Sequence, residues 1–238
     1  MAFSARTAKA LAISAGIIGA AAVSASALQV SIDAEGQPQI LIADNGAGDI
    51  DPTTGFVIFN GSAGTAANPI NPLRILAGRC TLCAATLTLD ANLTAPSGTT
   101  QSVVVKVSDV DFILDDTLGW DAIFQASSDF PSGVTGKATA WWSPTNTYFA
   151  QTYQIGDDFL PIGPGAEAIN FADFFPAPVT ASPYSMTLVM EFDATGQVFT
   201  ANMDSVARMN AVPVPAALPL LAGALALLGV ARVRRATA

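Results

Sequence analysis

Residues 103–112 read VVVKVSDVDF, and this stretch decides the fold. From Val105 onward the residue types alternate with a period of two, which is typical of a β-strand whose successive side chains point to opposite faces of a sheet. The alternation predicts one face with Val105, Val107, Asp109 and Asp111 and another with Lys106, Ser108, Val110 and Phe112. We therefore expect the chain to be built from strands.

Further β-rich runs occupy most of the chain between its two ends. The predicted strands are Leu28–Asp33, Gln37–Ala43, Gly55–Asn60, Thr86–Leu93, Ser102–Ile113, Trp120–Ala126, Ala138–Trp142, Tyr148–Ile155, Tyr184–Phe192 and Gln197–Ala201. Turn residues such as Pro96-Ser97-Gly98 separate them, so we predict a mainly β chain with a single antiparallel β-sandwich, jelly-roll-like, over residues 28–210. One short helix is predicted at Ala166–Phe175, ended by Pro176.

The predicted domain is strongly acidic. All 19 acidic residues lie between Asp33 and Asp204, whereas residues 28–210 contain five basic residues, which leaves a net charge of −14. Such a charge argues against nucleic acid or anionic lipid head groups as partners. A length of about 183 residues fits one domain with a proper core.

The amino terminus has the pattern of a secretory signal peptide. Arg6 and Lys9 precede an apolar stretch at residues 10–23, and Ala25-Ser26-Ala27 fits the small-x-small cleavage pattern. We therefore predict a signal peptide over residues 1–27, with Leu28 as the mature amino terminus. The alternative, an amino-terminal membrane anchor, is disfavoured because the apolar stretch is short for a membrane span.

The carboxyl terminus, residues 211–238, has three parts. Val212-Pro213-Val214-Pro215-Ala216 forms a stiff linker, residues 216–231 form an uncharged apolar helix, and Arg232, Arg234 and Arg235 form a basic end. At about 1.5 Å per residue this transmembrane helix would span roughly 24 Å, slightly less than the ~30 Å hydrocarbon core. Clustered arginines mark the cytoplasmic side, so the rest of the chain is expected outside.

This tail resembles the VPLPA-CTERM variant of the PEP-CTERM sorting signal, with Val214 where that family usually has Leu. The resemblance implies recognition and processing by an exosortase, and a route through the inner membrane as an anchored precursor to the cell surface or extracellular matrix, with exopolysaccharide as a candidate partner. Residues 40–49 and Tyr184–Met190 also resemble an uncharacterised β-rich domain often found before such tails, which implies a similar fold and no activity. The alternative is a permanent single-span anchor.

The amino-acid composition argues against the commonest kinds of catalytic site. The chain has no histidine and only two cysteines, which removes the usual general base, the usual triad member and the commonest zinc ligand. We therefore expect neither catalysis nor a cofactor, and no metal site is assigned. A carboxylate-dependent glycosidase remains an alternative, although no two Asp residues stand out.

Cys80-Thr81-Leu82-Cys83 contains the two cysteines. No βαβ pattern surrounds them, so a structural disulfide in an oxidising compartment is favoured over a redox motif. Three steps of extended strand would hold the two Cα atoms roughly 10 Å apart, beyond the reach of a disulfide. The pair must therefore lie in a turn, with the next strand beginning after Cys83.

Two other segments could bind ligands. The loop Asp44–Thr53 could supply oxygen ligands to Ca²⁺, but it fails the EF-hand pattern and is interpreted as a solvated turn. Trp141 and Trp142 are neighbours on a predicted strand, so one is expected in the core while the other could stack on a sugar ring. The sequence thus favours a non-catalytic surface or matrix protein, with a carbohydrate-binding module as the alternative.

Overall fold

A computed structural model describes residues 28–65, 69–80, 85–95, 101–113, 119–161, 164–176, 183–194 and 199–211. In these residues the chain forms twelve strands. They are β1 (Gln29–Ala34), β2 (Ile40–Ala43), β3 (Phe56–Gly64), β4 (Pro69–Cys80), β5 (Ala85–Ala95), β6 (Gln101–Phe112), β7 (Gly119–Phe130), β8 (Val134–Ser143), β9 (Tyr153–Phe159), β10 (Gly165–Pro176), β11 (Tyr184–Ala194) and β12 (Phe199–Ala211). The predicted mainly β chain is confirmed.

The strands form two six-stranded sheets. Sheet I has the order β2-β1-β6-β11-β8-β9, and sheet II has the order β10-β7-β12-β5-β4-β3. Every pairing between neighbouring strands is antiparallel. The two sheets pack as a β-sandwich, which confirms that prediction.

The core lies between the sheets and follows the two-residue period of the strands. In β5 the side chains of Leu87, Leu89, Ala91 and Leu93 are buried, and the alternate residues Thr88, Asp90 and Asn92 are half-buried on the outer face. Burying one leucine side chain contributes roughly 1.5–3 kcal/mol. Aromatic rings join the two sheets, as where Phe130 of β7 and Phe192 of β11 lie with their ring centroids 5.9 Å apart.

Strand β6 confirms the predicted faces only in part. Val105, Val107 and Asp109 all point inward and are buried, as expected. Beyond Asp109 the strand carries one more residue than its partner β11, where the register shifts. This bulge leaves Asp111 exposed with a φ of 60° and turns Phe112 into the core, so the predicted faces of these two residues are wrong.

The predicted helix at Ala166–Phe175 is also wrong. The segment is strand β10, paired with β7 from Gly165 opposite Phe130 to Pro176 opposite Gly119. Its alanines suit a helix. However, Ile169 and Phe171 pack against the core, whereas the alternate residues Ala168 and Asn170 are exposed. Long-range pairing along all twelve residues outweighs the local helix propensity.

Two other strand predictions need correction. The prediction of a strand from Tyr148 to Ile155 starts too early, because Tyr148 and Phe149 lie in a turn, with a φ of 59° at Phe149, and β9 starts at Tyr153. Strand β4 was not predicted at all. The strand was missed because Pro69 and Pro72 are residues typical of loops. Its inward residues Leu73, Ile75 and Ala77 also give a weaker apolar alternation than those of β5.

Both ends of the described chain lie at one end of the sandwich. Gln29 at the start of β1 is opposite Ser108 of β6 in sheet I. In sheet II, Arg79 is aligned through β5 with Ala207, near the end of β12. A 2.8 Å ion pair between Arg79 of sheet II and Asp109 of sheet I shows that these strand positions lie at the same end of the sandwich. We call this the terminal end, and the end that contains Gln101 and Ala34 the distal end.

Candidate functional site

The two tryptophans of β8 point to opposite faces. Trp142 is 3% exposed and faces the interior, where its ring stacks on Tyr153 at 4.6 Å between centroids and meets Tyr184 edge-on at 6.5 Å. Trp141 is half-buried on the outer face of sheet I, and its Nε1 donates a hydrogen bond of 2.9 Å to Thr139 Oγ1. Of the pair, only Trp141 can present a ring to a sugar.

The carboxylates of the Asp44–Thr53 loop accept backbone hydrogen bonds. Asp49 accepts from the N–H groups of Asn45, Asp51 and Ile58 at 2.8–3.0 Å, and Asp44 accepts from Gly55 at 2.7 Å. Each bond satisfies a backbone donor that the loop would otherwise leave unpaired. Within the described ranges no group of three or more His, Cys, Asp or Glu residues is arranged to hold a metal ion. The hydrogen bonds give these carboxylates a structural role in the turn.

Several predicted site residues lie outside the described residues. They are Ala25 and Ala27 of the signal cleavage site, Cys83, the sorting motif Val212, Pro213, Val214, Pro215 and Ala216, and the arginines Arg232, Arg234 and Arg235. Cys80 is the last residue of β4 and β5 begins at Ala85. The next strand thus begins after Cys83, as predicted, whereas the turn and the disulfide stay predictions. In the described part of the chain, no helix is long and apolar enough to cross a membrane.

A carboxyl pair on the outer face of sheet II was missed by sequence reasoning. Asp90 of β5 and Asp204 of β12 are direct cross-strand partners. Asn92 and Asn202 form the next outward cross-strand pair. Asp90, Asn92 and Asn202 line a groove of about 450 Å³ together with Arg74. The available signal was an Asp in the middle of a β-rich run, because Asp is uncommon in strands.

Burial is the main cause that raises the pKa values of both carboxyl groups. Burial, followed by the charge and the hydrogen bond of Asp204, raises the pKa of Asp90 from 3.8 to about 6, while Arg74 opposes the shift. Burial also raises the pKa of Asp204. When both carboxyl groups are ionised, two like charges stand directly opposite each other, which destabilises an antiparallel pair.

We expect Asp90→Asn to stabilise the protein above pH 6 by about 1–2 kcal/mol, after allowing for solvent screening. Because the pKa of Asp90 in the folded state lies above its ordinary value, wild-type stability falls as pH rises from about 4 to about 6. Urea unfolding at pH 4 and pH 8 measures the difference. The exposed Asp193 of sheet I provides the control Asp193→Asn. A stabilisation by Asp90→Asn that is equal at both pH values would contradict the explanation.

Comparisons with known proteins show distant structural likenesses only. No protein-family model matches the sequence, and no curated protein matches it. A tailspike protein 4 domain of bacteriophage CBA120 is 9% identical with a TM-score of 0.33, and the match covers 66% of this chain and 19% of the tailspike chain. A structure of the infectious bursal disease virus Gx strain is 12% identical with a TM-score of 0.31, and the match covers 78% of this chain and 55% of the viral chain. The mannan-recognising carbohydrate-binding module TmCBM27 is 12% identical with a TM-score of 0.26, and the match covers 66% of this chain and 99% of the module. Likenesses at these scores do not indicate a function.

Proposed function

We propose that the protein is a non-catalytic exported protein of the cell surface or extracellular matrix, delivered by a carboxyl-terminal exosortase sorting signal. One observation carries this proposal: the strands of the sandwich lie between the predicted signal peptide and the predicted sorting motif. Leu28, the first residue after the predicted cleavage site, is buried, and its carbonyl accepts a 2.8 Å hydrogen bond from Asp44 N. The last strand ends at Ala211, immediately before Val212 of the predicted sorting motif.

The placement of the two ends supports a membrane-anchored precursor. Because β1 starts and β12 ends at the terminal end, the predicted signal peptide and the predicted tail both connect there. A precursor held in the inner membrane can therefore fold outside it with the distal end directed away. Export also suits the acidic surface, which has few cations to attract anionic lipids.

We further propose a jelly-roll-like topology for β5–β12. Consecutive strands in this part alternate between the two sheets, except for β8 and β9, which both belong to sheet I. Each sheet contributes four of these strands, in the orders β6-β11-β8-β9 and β10-β7-β12-β5. Eight strands in two such sheets are the arrangement of a jelly roll, and β1–β4 extend both sheets.

A carbohydrate-binding module is the second candidate function, favoured by the half-buried ring of Trp141 on the outer face of sheet I. An aromatic ring with one open face can stack on the apolar face of a sugar. Binding on a sugar array that is lost in Trp141→Ala would support this candidate.

Export is tested by sequencing the amino terminus of the mature protein, which we expect to begin at Leu28. Small residues at positions 25 and 27 permit cleavage, so replacing Ala25 and Ala27 with glutamine is expected to leave the signal peptide attached. Ser26→Gln, between them, is the matched control and is expected to be cleaved normally. A mature protein that still begins at Met1 would contradict the proposal.

A further inference from the structure

The indole ring of Trp141 forms a flat surface on the outer face of sheet I. Its Nε1 donates to the hydroxyl of Thr139, which lies two residues earlier on the same face of β8, so the ring is held along the strand. Thr139 and its cross-strand partner Val189 point outward, yet each is only 4% exposed. Among the described residues no second ring stacks on Trp141. One side of the indole therefore covers the sheet and the other side faces solvent.

Three polar side chains are joined by hydrogen bonds beside this ring. Gln154 of β9 is the direct cross-strand partner of Trp141, and its Nε2 donates a 2.7 Å bond to Asp158 Oδ1. The second carboxylate oxygen of Asp158 forms a 2.9 Å ion pair with Nζ of Lys137, which lies on the same face of β8 as Trp141. Asp158 thus holds the amide and the ammonium group in place next to the indole. We call Gln154, Asp158 and Lys137 the polar line.

The polar line keeps hydrogen-bonding capacity for a ligand. A primary amide has two N–H donors and one acceptor oxygen, and an ammonium group has three donors. Within the described part of the chain, the contacts with Asp158 use one donor of each. The local charge favours an uncharged ligand, because Lys137 lies between Asp158 and its cross-strand partner Glu191, and two carboxylates outweigh one cation.

A pyranose ring matches this arrangement. The C–H groups of one sugar face can stack on an aromatic ring, while the hydroxyl groups at the rim both donate and accept hydrogen bonds. In the described part of sheet I, β9 is the edge strand, so the side of the ring beyond Gln154 is open to a chain of sugars.

We propose that Trp141 and the polar line form one subsite for a neutral pyranose unit. The indole stacks on the sugar, Gln154 and Lys137 bind its hydroxyl groups, and Asp158 is the positioning residue for both. This inference rests on the second candidate function and specifies the residues and the class of sugar for that site.

The test uses the full chain in a detergent without a sugar head group. The probes are the neutral hexasaccharides of β1,4-linked glucose, mannose and galactose, with hexagalacturonate as the anionic comparison, and calorimetry measures Kd. We expect at least one neutral hexasaccharide to bind, and the anionic one to bind at least ten-fold more weakly. Trp141→Leu, which keeps an apolar side chain over the sheet, should abolish binding. Asp158→Ala should raise Kd at least five-fold, and Asp158→Asn, which can still accept from Gln154, should bind more tightly than Asp158→Ala.

Asp193→Ala, at an exposed position on the same face of sheet I, is the matched control and should leave Kd within two-fold. If Asp158→Ala does not fold, Gln154→Leu removes the amide of the polar line instead. Absence of binding by every neutral hexasaccharide, or binding that survives Trp141→Leu, would overturn both this inference and the second candidate function. Loss of binding in Trp141→Leu with unchanged Kd in the Asp158 and Gln154 variants would overturn the subsite alone. Tighter binding of hexagalacturonate would overturn the assignment to a neutral sugar.

Discussion

Replacing Asp109 with alanine is expected to lower the free energy of unfolding by about 3–5 kcal/mol, because it leaves a mostly buried guanidinium without its counter-charge. Asp109 is fully buried; its Oδ2 accepts a 2.8 Å bond from Arg79 Nη1, and its Oδ1 accepts one of 2.7 Å from Val110 N. The same guanidinium lies 4.6 Å from the ring centroid of Phe112. The ion pair joins the two sheets, so its loss opens the terminal end. Urea unfolding followed by tryptophan fluorescence measures the change.

Two further variants separate the charge effect from simple loss of packing. The double variant Arg79→Met, Asp109→Leu replaces the pair with apolar side chains and should recover most of the lost stability. Lys137 and Asp158 form a 2.9 Å pair at the surface, with about a third of each side chain exposed, so Lys137→Ala should cost at most about 1 kcal/mol. If Asp109→Ala is no more destabilising than Lys137→Ala, the inter-sheet pair is not a main support of the fold.

Changing both Pro213 and Pro215 to alanine is expected to abolish carboxyl-terminal processing while leaving membrane insertion intact. Proline fixes φ and excludes a regular helix, so Val212-Pro213-Val214-Pro215 is expected to present a stiff, extended peptide next to the membrane. A peptide already held in an extended form loses little conformational entropy when an enzyme binds it. The variant should accumulate in the inner membrane as the form that still contains Arg232, Arg234 and Arg235.

Pro219→Ala provides the matched control, because this proline lies in the first turn of the predicted helix, where proline is tolerated. It should be processed like wild type. Membrane fractionation followed by immunoblotting distinguishes the two forms. Normal processing of the Pro213, Pro215 double variant would contradict the proposed role of the motif and favour a permanent single-span anchor.

Local patterns in the sequence predicted those features of the fold that depend on one strand at a time. The alternation of Leu87, Leu89 and Leu93 is visible in the sequence, and so are the opposite faces of Trp141 and Trp142. The bulge after Asp109 could not be predicted, because it exists only relative to the register of β11. Likewise, the alanines of β10 favour a helix until pairing with β7 is included.

The candidate sites were less predictable than the fold, because they are made by residues distant in the chain. Nothing in the local sequence of Asp90 or Asp204 shows that β5 and β12 will place them in direct opposition. The proposed sorting signal is different in kind, because its three parts are contiguous and the resemblance can be seen without a fold.

The intact mass of the protein extracted from the cell surface tests the central claim most directly. The account predicts a single mature form that begins at Leu28 and lacks the predicted helix at residues 216–231 together with Arg232, Arg234 and Arg235. A mass that still includes the carboxyl-terminal Ala238 would contradict processing by an exosortase and leave the tail as an ordinary membrane anchor.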